Sequence, residues 1–167
     1  MESKEYKVIL ARTDIEDFNP LFEKIKDSFD IAKGAYATEL SLMTERDEGF
    51  FKIHEPNEPQ PFCLAIDEDN NVLGFILLEA DSRTMTLWTC HVYVRPEVRG
   101  MGVYKLMMKR VKKFAEDAGF RYLFSIVHKR NDVSQKAHAH VGFKKRWIGY
   151  EIPIEPVNDN KKMNKKL

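Results

Sequence analysis

Residues 92–104 read Val-Tyr-Val-Arg-Pro-Glu-Val-Arg-Gly-Met-Gly-Val-Tyr. An apolar run enters a short segment holding Gly100 and Gly102, and helix-spaced apolar residues begin at once at Val103. Glycines let a backbone curl until several N–H groups converge, and a helix N-terminus adds about half a positive charge. Together these suit a phosphate or pyrophosphate. The competing reading is a tight turn that merely needs glycine, and a lone pair of glycines would favour it. Two common phosphate motifs are excluded. The dinucleotide fingerprint requires a third glycine where Lys105 stands, and the P-loop requires Gly-Lys-Ser/Thr closing a longer loop.

A third pattern fits. The segment resembles the acetyl-CoA-binding motif of the Gcn5-related N-acetyltransferase superfamily, a strand ending in V-x-P followed by R/Q-x-x-G-x-G/A. Val94, Pro96, Arg99 and Gly102 match it, while Tyr104 stands at the last small position. Downstream, residues 131–143 resemble the same family's N-x-x-A/S-x-x-x-Y/H-x-x-x-G-F segment through Asn131, Ser134, His138, Gly142 and Phe143. The resemblance spans roughly residues 6–152, with nothing to match between about 31 and 61.

The resemblance implies acetyl-CoA as co-substrate, with no metal, and direct attack by an amine in a ternary complex. Val92 and Val94 would offer backbone groups to the pantetheine arm and the acetyl carbonyl. Backbone N–H groups of Arg99, Gly100, Met101, Gly102, Val103, Tyr104 and Lys105 would hold the pyrophosphate, with Asn131 and Ser134 on the other side. His138 stands where the family most often has a tyrosine that protonates the leaving thiolate; the plainer reading is a partly exposed helical histidine. His140 is expected to point into solvent.

His91 lies among apolar residues, where a satisfied structural histidine competes with a general base. Its neighbours Trp88, Thr89 and Cys90 offer no carboxylate, so Glu79 and a water chain remain alternative bases. Lys105, Lys109, Arg110, Lys112 and Lys113 form a basic stripe that reads as a solvated helix face, its first turn placed to meet a 3′-phosphate. Trp88, Trp147, Phe50 and Phe51 read as core more than as a substrate box, though Phe50 and Phe51 flank the variable loop where an acceptor would bind.

The elements that must position these residues can be read from spacing. Residues 6–10 form a first strand, and Thr13 and Glu16 give a capping-box signal. Phe18, Leu21, Phe22, Ile25 and Phe29 predict a helix to about residue 30. Tyr36, Leu40 and Met43 predict a second, shorter helix. Residues 55–61 hold three prolines and are a loop. Runs at 62–66 and 72–78 flank a polar turn and predict a hairpin, followed by a strand at 86–94. The helix from Val103 closes at Gly119; a strand at 122–127, a helix at 132–140 and a closing strand or hairpin at 143–152 complete the order. This is an α/β (α+β) domain, a mixed and mostly antiparallel twisted sheet with helices on both faces. It occupies residues 1–155 and is followed by a basic tail, 156–167.

Bulk properties narrow the function classes. The 167 residues suit one domain, and 27 Lys+Arg against 26 Asp+Glu leave a net charge of +1. That balance disfavours a nucleic-acid partner. No apolar run reaches membrane-spanning length, and the N-terminal residues show no signal region. Cys63 and Cys90 both sit in apolar stretches and read as reduced, buried residues of a cytoplasmic protein. The leading expectation is an N-acetyltransferase, monomeric or homodimeric, acting on a small-molecule amine or a peptide or protein amine. The alternative is a non-catalytic acyl-CoA-binding sensor or interaction module of the same fold.

Overall fold

The computed structural model describes residues 6–12, 19–45, 53 and 60–146. The capping-box signal at Thr13 and Glu16, and all but the first few residues of the expected closing strand, lie outside them. Residues 143–146 are not a strand. Five strands form one sheet in sequence order: β1 (Lys7–Arg12), β2 (Pro61–Ile66), β3 (Val72–Asp81), β4 (Thr86–Val94) and β5 (Tyr122–Ser125). The first four are antiparallel neighbours, and β5 runs parallel to β4. A parallel pair needs a crossover, which here contains α2 (Val103–Asp117); α1 (Asn19–Thr44) joins β1 to β2, and α3 (Asp132–His140) follows β5.

All six residues of β2 are buried, as expected of a strand covered on both faces. Phe62, Leu64 and Ile66 face α1, while Cys63 and Ala65 face α2. Ile25, Phe29, Ala32 and Tyr36 of α1 close over Phe75 and Tyr93, with Phe29 and Phe75 edge to face at 5.5 Å. Val103, Met107, Met108, Val111 and Ala115 of α2 cover the opposite face. Ser28 fastens α1 to the sheet: its Oγ accepts from the Val72 N–H at 2.8 Å and from Arg95 Nη2 at 3.0 Å. In the β2–β3 turn, Asp67 Oδ1 accepts from the N–H groups of Asp69 and Asn71, which fixes the hairpin the sequence predicts.

Two expectations are corrected here. The two short helices are one helix of 26 residues, α1. Its buried stripe runs Phe29, Ala32, Tyr36, and the small Ala32 carries it through the stretch where large apolar residues lapse. Gly34 faces outward, where a glycine costs a helix about 1 kcal/mol without ending it. Cys63 is fully buried, but Cys90 is exposed. Leu77 pairs with His91 and Leu78 with Thr89, so Cys90 is the extra residue of a β-bulge. Such a residue leaves the strand's alternation and need not face the core.

Candidate active site

The bulge marks the place where the sheet opens. β5 pairs with β4 only from Thr86↔Tyr122 to Thr89↔Ser125, whereas β4 continues to Val94. On the other edge of β4, the Arg95 N–H donates to Leu73 O at 2.8 Å. Hydrogen-bonded and non-hydrogen-bonded pairs alternate in an antiparallel ladder. Ile76↔Val92 and Gly74↔Val94 are therefore non-hydrogen-bonded pairs, and the N–H and C=O of Val92 and Val94 face away from β3. They face the side that β5 has left.

A cavity of about 360 Å³ occupies that side, between the C-terminal half of α1, the end of β4, the first turn of α2, and α3. Its floor includes the glycine loop. Gly100 has φ +79° and Gly102 φ +86°, backbone that side-chain-bearing residues rarely adopt. A Cβ at either would meet nothing within 4 Å, so the demand for glycine is conformational, and the space before the loop is open. No side chain caps α2, and the N–H groups of Val103, Tyr104 and Lys105 have no intrahelical acceptor. The loop thus ends in a cluster of free donors at the positive end of a helix dipole. Arg99 braces it: Nε donates to Val94 O at 2.9 Å, and Nη2 meets Glu39 of α1 at 2.5 Å.

The opposite wall is α3. Asn131 is its N-cap, with Oδ1 accepting from the Ser134 N–H at 2.9 Å. His138 is 6% exposed, and burial pushes its pKa below the ordinary histidine value, partly offset by a backbone hydrogen bond to Ser134. Nδ1 lies 2.8 Å from the Ser134 carbonyl, which can only accept, so the ring proton sits there. Nε2, 2.8 Å from Ser125 Oγ, accepts from that hydroxyl. The single proton of neutral His138 is therefore committed.

Beneath α1 lies a second polar group. His91 Nδ1 is 2.9 Å from the hydroxyl of Tyr36, and burial lowers the His91 pKa. Burial first, then Cys90, pushes the Tyr36 phenol up to about 12. Cys90 is exposed as a residue, but partial desolvation of its thiol, and then Glu79, whose carboxylate accepts from Sγ at 3.6 Å, pushes the thiol up to about 12.

The structure brings Val92, Val94, Arg99, Gly100, Gly102, Val103, Tyr104, Lys105, Asn131, Ser134 and His138 to one cavity. Met101 is 54% exposed, accepts from the Tyr6 hydroxyl at its sulfur, and is not on the lining. His91 is also behind the lining, reached through Tyr36. His140 is exposed as expected, yet it borders the cavity. Sequence reasoning missed Tyr36, Glu39 and Leu40, because helical spacing does not say which turn of a helix will overhang a cleft.

The sequence pattern of the Acetyltransferase (GNAT) family matches residues 21–143. The chain belongs to that family. The match takes in every residue that lines the cavity, from Tyr36 to Val141. No curated protein matches the chain in sequence. Among solved structures, GNAT members share its fold. A ribosomal-protein-alanine N-acetyltransferase from Brucella melitensis biovar Abortus 2308 superposes with a TM-score of 0.60 at 16% identity, over 90% of this chain and 100% of that one. An aminoglycoside acetyltransferase from an uncultured soil metagenomic sample gives 0.62 at 11%, over 90% and 99%. The aminoglycoside N-acetyltransferase AAC(6')-Iy, in complex with CoA, gives 0.51 at 16%, over 90% and 100%. The mixed sheet and flanking helices expected from the sequence are the GNAT fold.

Proposed function

We propose that this GNAT member transfers the acetyl group of acetyl-CoA to a primary amine, by direct attack in a ternary complex. The observation that carries the reading is the opening where β4 outruns β5, with the backbone of Val92 and the N–H of Val94 turned toward it and the free N–H groups of the first turn of α2 at its end. Backbone N–H groups of Gly100, Gly102, Val103, Tyr104 and Lys105 take the pyrophosphate, while those of Arg99 and Met101 are held by the carbonyls of Pro96 and Val98. Val92 and Val94 take the pantetheine arm and the acetyl carbonyl, and Asn131 and Ser134 close the far side. The fit is chemical as well as spatial: an anion belongs at a helix N-terminus, and amide groups of an extended arm belong on an unpaired strand edge. A solved relative of the same fold has CoA bound.

The amine nitrogen attacks the thioester carbon, the C–S bond breaks, and its electron pair leaves on sulfur. His91 takes the amine proton. The proton travels through Tyr36: its hydroxyl gives its own proton to Nδ1 as its oxygen takes the amine's, and burial keeps the ring unprotonated at neutral pH. Acceptors of two kinds fit this chemistry, a small-molecule amine and a peptide or protein amine. The free thiols of Cys63 and Cys90 favour a reducing compartment such as the cytoplasm.

One observation favours the non-catalytic alternative: β4 carries no carboxylate. Incubation of the protein with acetyl-CoA and a panel of small and peptidic amines separates the two. An enzyme releases free thiol in step with acetylated amine, whereas a sensor raises its melting temperature with acetyl-CoA and releases none.

A further inference from the structure

We infer that the acceptor is a diamine, held by its second ammonium on a row of side chains beside the Tyr36–His91 pair; the inference rests on the transfer reading above. Leu78, Leu87 and Leu123 pack with α2. Successive side chains of a strand point to opposite faces, so Glu79, Trp88 and Phe124 lie on the other face, the one that carries α1. Register puts them in line: Glu79 pairs with Trp88, and Trp88 with Phe124. The row crosses three strands, with its two ring centroids 4.3 Å apart and a carboxylate at one end. Trp88 and Phe124 are half-buried and Glu79 is exposed, so a ligand can reach them. In the neighbouring row Leu77 pairs with His91, whose Nδ1 meets the Tyr36 hydroxyl. Trp88 and His91 are three positions apart and would face opposite ways in a regular strand; the bulge at Cys90 turns them to the same side. Two steps of β3 lead from Leu77 to Glu79, which sets the two rows about 7 Å apart.

Each part of the row suits an ammonium group. A cation over an aromatic face is attracted by the ring quadrupole, most strongly over tryptophan, and a carboxylate alongside adds charge pairing. Among the described residues, Glu79 has one hydrogen-bond partner, the Cys90 thiol at 3.6 Å, and forms no ion pair. That thiol stays protonated at neutral pH, so it steadies the carboxylate without neutralising it. An acceptor with one amine leaves the row unused. A diamine fills both places: one nitrogen attacks beside Tyr36, and the other, still protonated, rests on Trp88 and Phe124 against Glu79. Extended 1,5-diaminopentane has its nitrogens about that far apart.

The test compares 1,5-diaminopentane with pentylamine, which presents the same primary amine without the second charge. The wild type should favour the diamine about tenfold in kcat/KM, more than the roughly twofold gain its two equivalent ends supply. Glu79→Gln should raise the KM of the diamine about fivefold, keep its kcat, and leave pentylamine unchanged. Calorimetry on the CoA-saturated protein should show diamine binding weakened by a similar factor. The variant keeps its fold, because Glu79 is exposed and glutamine still offers Cys90 an acceptor. Equal kcat/KM for the two amines in the wild type would overturn the inference, as would a preference that survives Glu79→Gln. A fall in kcat for both amines alike would overturn it too, since Glu79 would then be acting as the base. So would transfer to a peptide amine but to neither of these. Each of those results leaves acetyl transfer standing. A wild type that acetylates no amine of the panel would overturn the transfer reading, and this inference with it.

Discussion

His91 shows how much of a residue's chemistry depends on neighbours that are distant in sequence. The sequence offers a histidine among apolar residues, and nothing nearby tells a structural ring from a base. Its partner Tyr36 is 55 positions away, on α1, and only the fold brings the hydroxyl to Nδ1. Burial holds the His91 pKa below its ordinary 6.5, so the ring is ready to accept a proton at neutral pH and loses that capacity only in acid. With an α-amine acceptor, kcat should fall on an acid limb lying below pH 6.5. His91→Ala should lower kcat by about 10²–10⁴-fold and erase that limb. A pH–rate profile of both proteins checks this, and an unchanged acid limb in the variant would remove His91 from the reaction. His138 is the converse. Its place in the motif was legible, but its commitment to Ser125 and Ser134 was not, because a motif fixes a position and leaves the hydrogen-bond partners open.

At the scale of elements, the parts that local spacing dictates were legible. The hairpin around Asp67, strand β4, and helices α2 and α3 lie where periodicity and turn residues put them. What spacing cannot carry is a device that depends on pairing. The bulge at Cys90, the early end of β5 and the continuity of α1 through Ala32 all arise from contacts between elements. Gly74 belongs with these. A Cβ there would lie 2.7 Å from the Tyr93 carbonyl oxygen and 3.0 Å from Met107 Cε, so β3 must carry glycine opposite the cleft-forming end of β4. Gly74→Ala should destabilise the protein by about 1–3 kcal/mol, the usual range for overpacking. It should also weaken acyl-CoA binding, since Tyr93 lies between the two residues that present their backbone to the cavity. Urea unfolding and calorimetry would measure both, and a variant of wild-type stability would show that the strand yields freely.

Across the whole molecule, two helices clamp one sheet, and the cleft forms where the clamp overhangs the end of β4, which among the described residues has β3 on one edge and no strand on the other. Holding this arrangement together half-buries His91 and buries His138, both in neutral form. Both folded pKa values lie below the unfolded 6.5, so under acid conditions the unfolded chain binds more protons than the folded one. Stability should therefore be full at neutral pH and decline as pH falls below 6.5. A urea midpoint lower at pH about 5.5 than at about 7.5 is expected, and equal midpoints would contradict the burial of the two rings as neutral groups.

The family was legible because its two motifs are local, one on the glycine loop and one across α3, and the fold brings them to facing walls of one cavity. The α1 wall of the cavity was not, since only the tertiary structure reveals which turn of that helix faces the cleft. The central claim is that this cavity is an acyl-CoA site built on the glycine loop. Calorimetric titration with acetyl-CoA tests it most directly, run on the wild type and on Gly102→Asp. That substitution puts a carboxylate before the donors of α2 at a φ of +86°. The account predicts saturable one-site binding to the wild type and a loss of about 100-fold or more in the variant, with the variant still folded. Equal affinity in the two proteins, or no binding to the wild type, would contradict it.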